Sequence, residues 1–165
     1  ESNWAALREP QSSVLRLPNT GMAVPTDVGD PVDIHPTDKQ TVARRMRMEA
    51  LRLAYGRRDL VSSGPQYAGM KVEGNRIRVS FTGTGSGLVA RGGALRRFAV
   101  AGKDGVFRWA KAEIDGDTVV VSSPEVPEPV AVRYAWDNNP IDANLFNREG
   151  FPASGFRSDR PDYLR

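Results

Sequence analysis

The sequence predicts the end of an α/β domain followed by an all-β module, an antiparallel sandwich or barrel. Three observations carry that prediction. The one long amphipathic segment lies in the first third of the chain and follows a Gly/Asp/Pro-rich loop. From about residue 68 the hydrophobic period changes from 3.6 to 2, Ile77, Val79 and Phe81 alternating with Arg76, Arg78 and Ser80. The apolar runs beyond that point are separated by glycine-containing turns with no helical pattern between them. With 165 residues, 39% of them apolar, there is material for a packed core, and wholesale disorder is excluded.

The elements follow in order. Trp4-Ala5-Ala6-Leu7-Arg8-Glu9 predicts a short helix stopped by Pro10. Val14-Leu15-Arg16-Leu17 and Met22-Ala23-Val24, on either side of the turn-like Pro18-Asn19-Thr20-Gly21, have the length of buried strands. The second run feeds a loop holding Asp27, Asp30, Asp33 and His35. A helix is expected over 37–55, opened by a Thr37/Gln40 capping box and closed at Gly56, its apolar stripe being Val42, Ala43, Met46, Ala50, Leu53 and Ala54. Beyond Ser62-Ser63-Gly64-Pro65, strands are expected within Leu95–Ala101, Val106–Ile114, Thr118–Ser122 and Val130–Trp136. Their turns are Glu73-Gly74-Asn75, Lys103-Asp104-Gly105 and Asp115-Gly116-Asp117, where glycine accepts a positive φ.

Composition narrows the chemistry. No apolar run approaches the ~18 residues of a membrane span, so no membrane partner is expected. No leader pattern opens the chain, so any secretion signal is expected upstream or removed. With no cysteine there is no disulfide, thiolate nucleophile or Cys-based metal site, and one histidine excludes a site needing two imidazoles. The net charge is +3, and Arg44, Arg45, Arg47, Arg52, Arg57 and Arg58 crowd one stretch opposed by Glu49. That stripe could hold phosphates or an anionic substrate, but reads first as a solvated helix face with cations near its C-terminus; no aromatics interleave with it, so no nucleic-acid partner is expected.

The informative loop is Gly29-Asp30-Pro31-Val32-Asp33-Ile34-His35-Pro36, between a strand-like run and a helix N-terminus. Residues two apart in extended chain face the same side, so Asp33 and His35 can share one site, the carboxylate orienting an imidazole that acts as a base. The spacing also fits a histidine in a turn and cap. No metal-ligand spacing is present, and neither metal nor organic cofactor is expected. No Gly-x-Ser-x-Gly, Gly-Asp-Ser or Gly-Gln-Ser nucleophile segment occurs. Gly83-Thr84-Gly85-Ser86-Gly87 lacks the lysine of a phosphate loop and reads as a tight β-turn.

A set of words runs in order along the chain: Leu7-Arg8-Glu9-Pro10-Gln11, Asn19-Thr20-Gly21-Met22-Ala23-Val24, Asp33-Ile34-His35-Pro36 with Lys39-Gln40, Tyr55-Gly56, Ser63-Gly64-Pro65 and Gly85-Ser86-Gly87-Leu88. Val132-Arg133-Tyr134-Ala135-Trp136, Asn144-Leu145-Phe146-Asn147, Gly150-Phe151-Pro152-Ala153-Ser154 and Phe156-Arg157-Ser158-Asp159 continue it. Together they resemble the C-terminal part of the sialate O-acetylesterases, SGNH-type (GDSL-like) carbohydrate esterases. Gly155 and Ser158 depart from the family's usual Pro-Phe-Arg-Thr-Asp.

The resemblance implies removal of acetyl groups from sugar hydroxyls by a Ser–His–Asp mechanism without cofactor. It implies His35 as the histidine and Asp33 as its carboxylate. The wider class places its Asp three residues before the His, where Val32 stands, so Asp30 remains a second candidate. The Ser and the oxyanion-hole Gly and Asn are implied upstream, outside this chain. The expected organisation is therefore residues 1–65 as the C-terminal segment of an SGNH-type esterase domain and residues 66–165 as a β-sandwich module with a C-terminal tail. The expected partners are an O-acetylated glycan and the N-terminal half of the esterase as a second chain, in an extracytoplasmic compartment. Two competing readings remain: a carbohydrate-binding module using Trp109, Trp136 and Tyr134 as stacking faces, and a purely structural subunit.

Overall fold

In the computed structural model, residues 3–159 are described. The end of the expected C-terminal tail, 160–165, lies outside them. The chain folds mostly into antiparallel sheets with two α-helices before them.

Helix α1 spans Asn3–Ser13 and runs through Pro10, which the sequence predicts as its stop. An internal proline costs a helix about 3 kcal/mol, and here tertiary contacts offset it. Glu9 is buried and receives both Nε (3.1 Å) and Nη2 (2.7 Å) of Arg157, while Arg8 donates to the carbonyl of Asp137. The hydroxyls of Ser12 and Ser13 donate back to the carbonyls of Arg8 (3.1 Å) and Glu9 (3.2 Å), occupying acceptors of the last turn. A 3₁₀ turn, Val14–Arg16, continues the helix where a strand is expected. Met22-Ala23-Val24, also expected as a strand, is non-helical and half-buried but pairs with no strand among the described residues. Chain length and apolarity suit both runs to a strand; what they lack is a ladder partner.

Helix α2 spans Lys39–Leu53, inside the expected 37–55. Its N-cap is Asp38, whose carboxylate accepts the Thr41 N–H at 2.9 Å, so the Thr37/Gln40 capping box does not form. At the far end Gly56 takes φ +68° and the Arg57 N–H closes on the carbonyl of Leu51 at 3.0 Å. Much of the helix's apolar stripe is turned outward. Ala43, Met46, Ala50 and Ala54 are exposed, Val42 and Leu53 are half-buried, and the buried residues are Arg45 and Glu49.

The first sheet is β1 (Gln66–Glu73), β2 (Arg76–Thr82), β7 (Thr118–Ser122) and β6 (Lys111–Asp115), in that spatial order. The second is β10 (Phe156–Arg157), β8 (Ala131–Tyr134), β4 (Phe98–Ala101) and β5 (Arg108–Trp109). A third sheet pairs β3 (Leu88–Ala90) with β9 (Leu145–Asn147). The expected single strand Val106–Ile114 is two strands in two sheets. The Ala110 N–H still bonds to Phe98 at 3.0 Å, after which the chain leaves for β6. The three expected hairpin glycines Gly74, Gly105 and Gly116 have φ of +65°, +70° and +59°.

Alternation places Ile77, Val79, Val119 and Val121 of the first sheet in one cluster with Phe98, Val100, Val132, Tyr134 and Phe156 of the second. Leu88 and Leu145 of the third sheet join it. Tyr134 sits at the centre, its ring 4.6 Å from that of Phe98 and its oxygen accepting the Leu145 N–H at 2.9 Å. Burial pushes its phenol well above the ordinary tyrosine range, so it stays protonated. It is core, not a stacking face for sugar.

Buried Asn147 ties three loops together. Its Nδ2 donates to the carbonyls of Ser63 (2.9 Å) and Gly83 (3.3 Å), and its Oδ1 accepts the Phe151 N–H (2.9 Å). This junction explains Gly64, where a Cβ would stand 2.1 Å from the Pro152 carbonyl oxygen. That neighbour is backbone, so Gly64→Ala is expected to cost about 1–3 kcal/mol through forced displacement. The urea midpoint should fall with an unchanged slope.

Candidate active site

Asp30, Asp33 and His35 lie on one exposed loop leading into α2. It does not follow a paired strand, contrary to the sequence expectation; two other devices hold it. The first is a clamp at its base. Arg45 reaches back from α2, its Nη1 donating to the Val24 carbonyl (2.7 Å) and its two Nη atoms to the Asp27 carboxylate (2.5 and 2.7 Å). Beside it, Glu49 accepts the Ser62 hydroxyl (2.7 Å) and Arg52 Nη2 (2.7 Å), and Arg52 Nε donates to Ser62 (2.9 Å). Gly21 passes so close that a Cβ would stand 2.4 Å from Glu49 Oε2.

The expected solvated arginine face therefore divides in two. Arg45 and Arg52 point inward, whereas Arg44, Arg47, Arg57 and Arg58 are exposed, Arg57 pairing with Asp59 at 2.8 Å. The sequence signal for the clamp was the i, i+4, i+7 spacing of Arg45, Glu49 and Arg52.

The second device is local. Asp30 Oδ1 accepts the backbone N–H of Val32 (2.8 Å) and Asp33 (3.0 Å), folding the loop around Pro31. Those two bonds hold the Asp30 carboxyl below its ordinary range. Asp33 then turns to His35: its Oδ1 lies 2.8 Å from the His35 backbone nitrogen and 2.9 Å from Nδ1. Asp33 and His35 are thus brought together, and Asp30 is engaged elsewhere. The pair is open, with side-chain exposures of 78% for His35 and 62% for Asp33. With Nδ1 bonded to the carboxylate, Nε2 is the nitrogen left to meet another group.

No family model matches the chain. The sialate O-acetylesterases of Homo sapiens and Pongo abelii are each 48% identical to it over 54 residues, 30% of this chain and 10% of theirs. That of Mus musculus is 46% identical over the same length. A carbohydrate acetylesterase from Xanthomonas citri has a solved structure that superposes with a TM-score of 0.94 at 48% identity, covering 98% of this chain and 37% of that one.

Over 54 residues the chain is homologous to sialate O-acetylesterases, and over nearly its whole length it is similar to a carbohydrate acetylesterase. It spans about a tenth of the curated relatives' length in the matched region, and 37% of the solved acetylesterase. The likeness to the solved structure takes in both helices and all three sheets, since it covers nearly the whole chain. In the closing segment, Ser158 and Asp159 both bond back to β8. Ser158 Oγ accepts the Val132 N–H at 2.9 Å, and Asp159 takes the Arg133 guanidinium at 3.0 and 2.5 Å.

Two outcomes follow from this geometry. Arg45→Leu strands the Asp27 carboxylate without its partner and is expected to cost about 3–5 kcal/mol, read from urea unfolding. The second concerns acid. The carboxyls of Asp30 and Asp38 are depressed by the backbone N–H groups they accept. Their stabilisation is complete above the ordinary carboxylate range and is lost as pH falls through the lowered values. Exchange protection of the Val32, Asp33 and Thr41 amides should therefore decline below about pH 4.

Proposed function

We propose that this chain carries the general-base half of a serine-type carbohydrate O-acetylesterase, with Asp33 and His35 as its share of a Ser–His–Asp triad. The observation that carries the reading is the 2.9 Å contact between Asp33 Oδ1 and His35 Nδ1, with the rest of the imidazole open. A carboxylate in that position fixes the tautomer that leaves Nε2 as acceptor and stabilises the imidazolium formed in the reaction. A serine hydroxyl from polypeptide outside this chain attacks the acetyl carbonyl while Nε2 takes its proton. The same proton passes to the departing sugar oxygen, and water then releases acetate by a second attack under the same base. Donors on that other polypeptide hold the oxyanion.

Three further features support the reading. The homologues are carbohydrate or sialate acetylesterases in name, and each extends well beyond the matched region. The exposed apolar side of α2 and the unpaired run Met22-Ala23-Val24 suit residues 1–65 as the closing segment of an SGNH-type α/β domain, whose remaining sheet and helices would cover them. The core shared by the two four-stranded sheets suits residues 66–165 as a β-sandwich packed beside that domain. The proposed partners are an O-acetylated glycan and the polypeptide bearing the serine.

The test is His35→Ala in the complete esterase, assayed on an acetylated sugar. Loss of a positioned base is expected to lower kcat by about 10²–10⁴-fold with little change in KM. Asp33→Asn should fall in the same direction, whereas Asp30→Asn should act mainly on stability. Unchanged turnover in His35→Ala excludes this assignment.

A further inference from the structure

The outer face of the second sheet carries a feature that deacetylation does not use. Register places Trp109, Ala99, Arg133 and Arg157 in one row across β5, β4, β8 and β10, on the side opposite the core residues Phe98, Tyr134 and Phe156. At the β10 end this row is covered, because Arg157 is bound by Glu9 of α1. At the β5 end it is bare, and Trp109 is 65% exposed.

Ala99 is small, and beside it the surface sinks into a hollow of about 250 Å³ walled by Phe107, Trp109, Arg133, Trp136 and Asp137. A second hollow of about 380 Å³, whose lining includes Leu95, Ala110 and Asp142, adjoins it. Trp109 and Arg97 line both and stand between them.

The walls are rigid. The Arg133 guanidinium lies 3.8 Å from the Phe107 ring centroid and is held by Asp159, and Arg97 lies 5.7 Å from the Trp109 centroid. Arg97 is bound by Asp137 at 3.0 Å and by Asp142. Both Arg97 and Ala135 adopt left-handed backbone, φ +64° and +49°, joined by the Ala135 N–H on the Arg97 carbonyl at 3.0 Å. A non-glycine pair in that region is costly and persists only where the surroundings fix it.

We propose that this double hollow binds an uncharged stretch of polysaccharide, two adjacent sugar units straddling Trp109. An exposed indole offers a flat apolar surface for the C–H face of a pyranose, and fixed polar groups around it suit equatorial hydroxyls. The two cations beside the aromatic walls, Arg97 and Arg133, are each matched by a carboxylate, and Arg96 at the edge of the second hollow gives its Nε to the Asp142 carbonyl, so the charge next to Trp109 is balanced. The site is separate from Asp33 and His35 and holds the chain along which acetyl groups occur. The inference leans on the proposed function only for the class of ligand.

The test measures retention of the complete protein in gels containing xylan stripped of acetyl groups, with polysialic acid as the anionic control. Hydrolysis of a small aryl acetate is followed in parallel. Wild-type protein should be retarded by xylan and not by polysialic acid. Trp109→Ala should weaken xylan binding at least tenfold while aryl acetate turnover stays within twofold, and Trp109→Tyr should restore binding to within threefold. Absence of xylan binding in the wild type, equal binding by Trp109→Ala, or a preference for polysialic acid overturns the proposal. If Trp109→Ala fails to fold, Trp109→Tyr decides, and binding lost in a folded Trp109→Tyr overturns stacking as the cause. Binding is read without turnover, so a failure of the esterase reading leaves this result standing.

Discussion

Between helix α2 and the segment that precedes it lies a layer of buried charge, and the position of the Asp33–His35 loop depends on it. Arg45 is almost wholly enclosed and meets Asp27 through both oxygens, while Glu49 is closed off by Ser62 and Arg52. A charge taken out of water is tolerated only when its partner is close and its remaining hydrogen bonds are filled. Here nearly all are; within this layer, among the described residues, Arg45 Nε is buried without a partner. Such a layer is directional where an apolar one is not. A guanidinium that binds two oxygens of one carboxylate and one carbonyl fixes orientation as well as distance. The loop therefore leaves the clamp at Asp27 in a defined direction and returns to the helix at Asp38, and Asp30 restrains the ten residues between them.

That arrangement explains what the sequence revealed and what it hid. Strands β2 and β7 of the first sheet were legible because each has one face buried, and period-2 alternation is the direct imprint of that condition. The hairpin turns were legible because only glycine takes a positive φ cheaply. Strands β3, β9 and β10 were not, since two or three residues carry no period. The break at Ala110 was hidden for a different reason: a chain that crosses from one sheet to another keeps its β-rich composition throughout.

Helix α2 misled in orientation, not in existence. Its apolar residues do form a stripe, but periodicity reports only that two faces differ. Which face turns inward is decided by tertiary partners, and Asp27, Ser62 and the close approach of Gly21 favour the charged one. The same holds for α1, where a proline that should end a helix is overruled by a buried Glu9–Arg157 pair between residues 148 positions apart. In both cases a long-range ion pair outweighs a local rule, and no single-sequence reading of propensity reaches that distance.

The competition between Asp30 and Asp33 for the histidine shows how such a site is narrowed by hydrogen-bond capacity. A carboxylate oxygen already accepting two backbone N–H groups from the next turn is spent on holding the chain, and this is the condition of Asp30. Asp33 Oδ1 accepts one backbone N–H, that of His35, and the same oxygen also meets Nδ1 of the ring. The two acids thus make different contacts: Asp30 bonds the backbone of the turn, and Asp33 bonds the ring of His35. Spacing in the sequence allowed either acid to meet the imidazole; in the structure the one within hydrogen-bond distance of Nδ1 is Asp33.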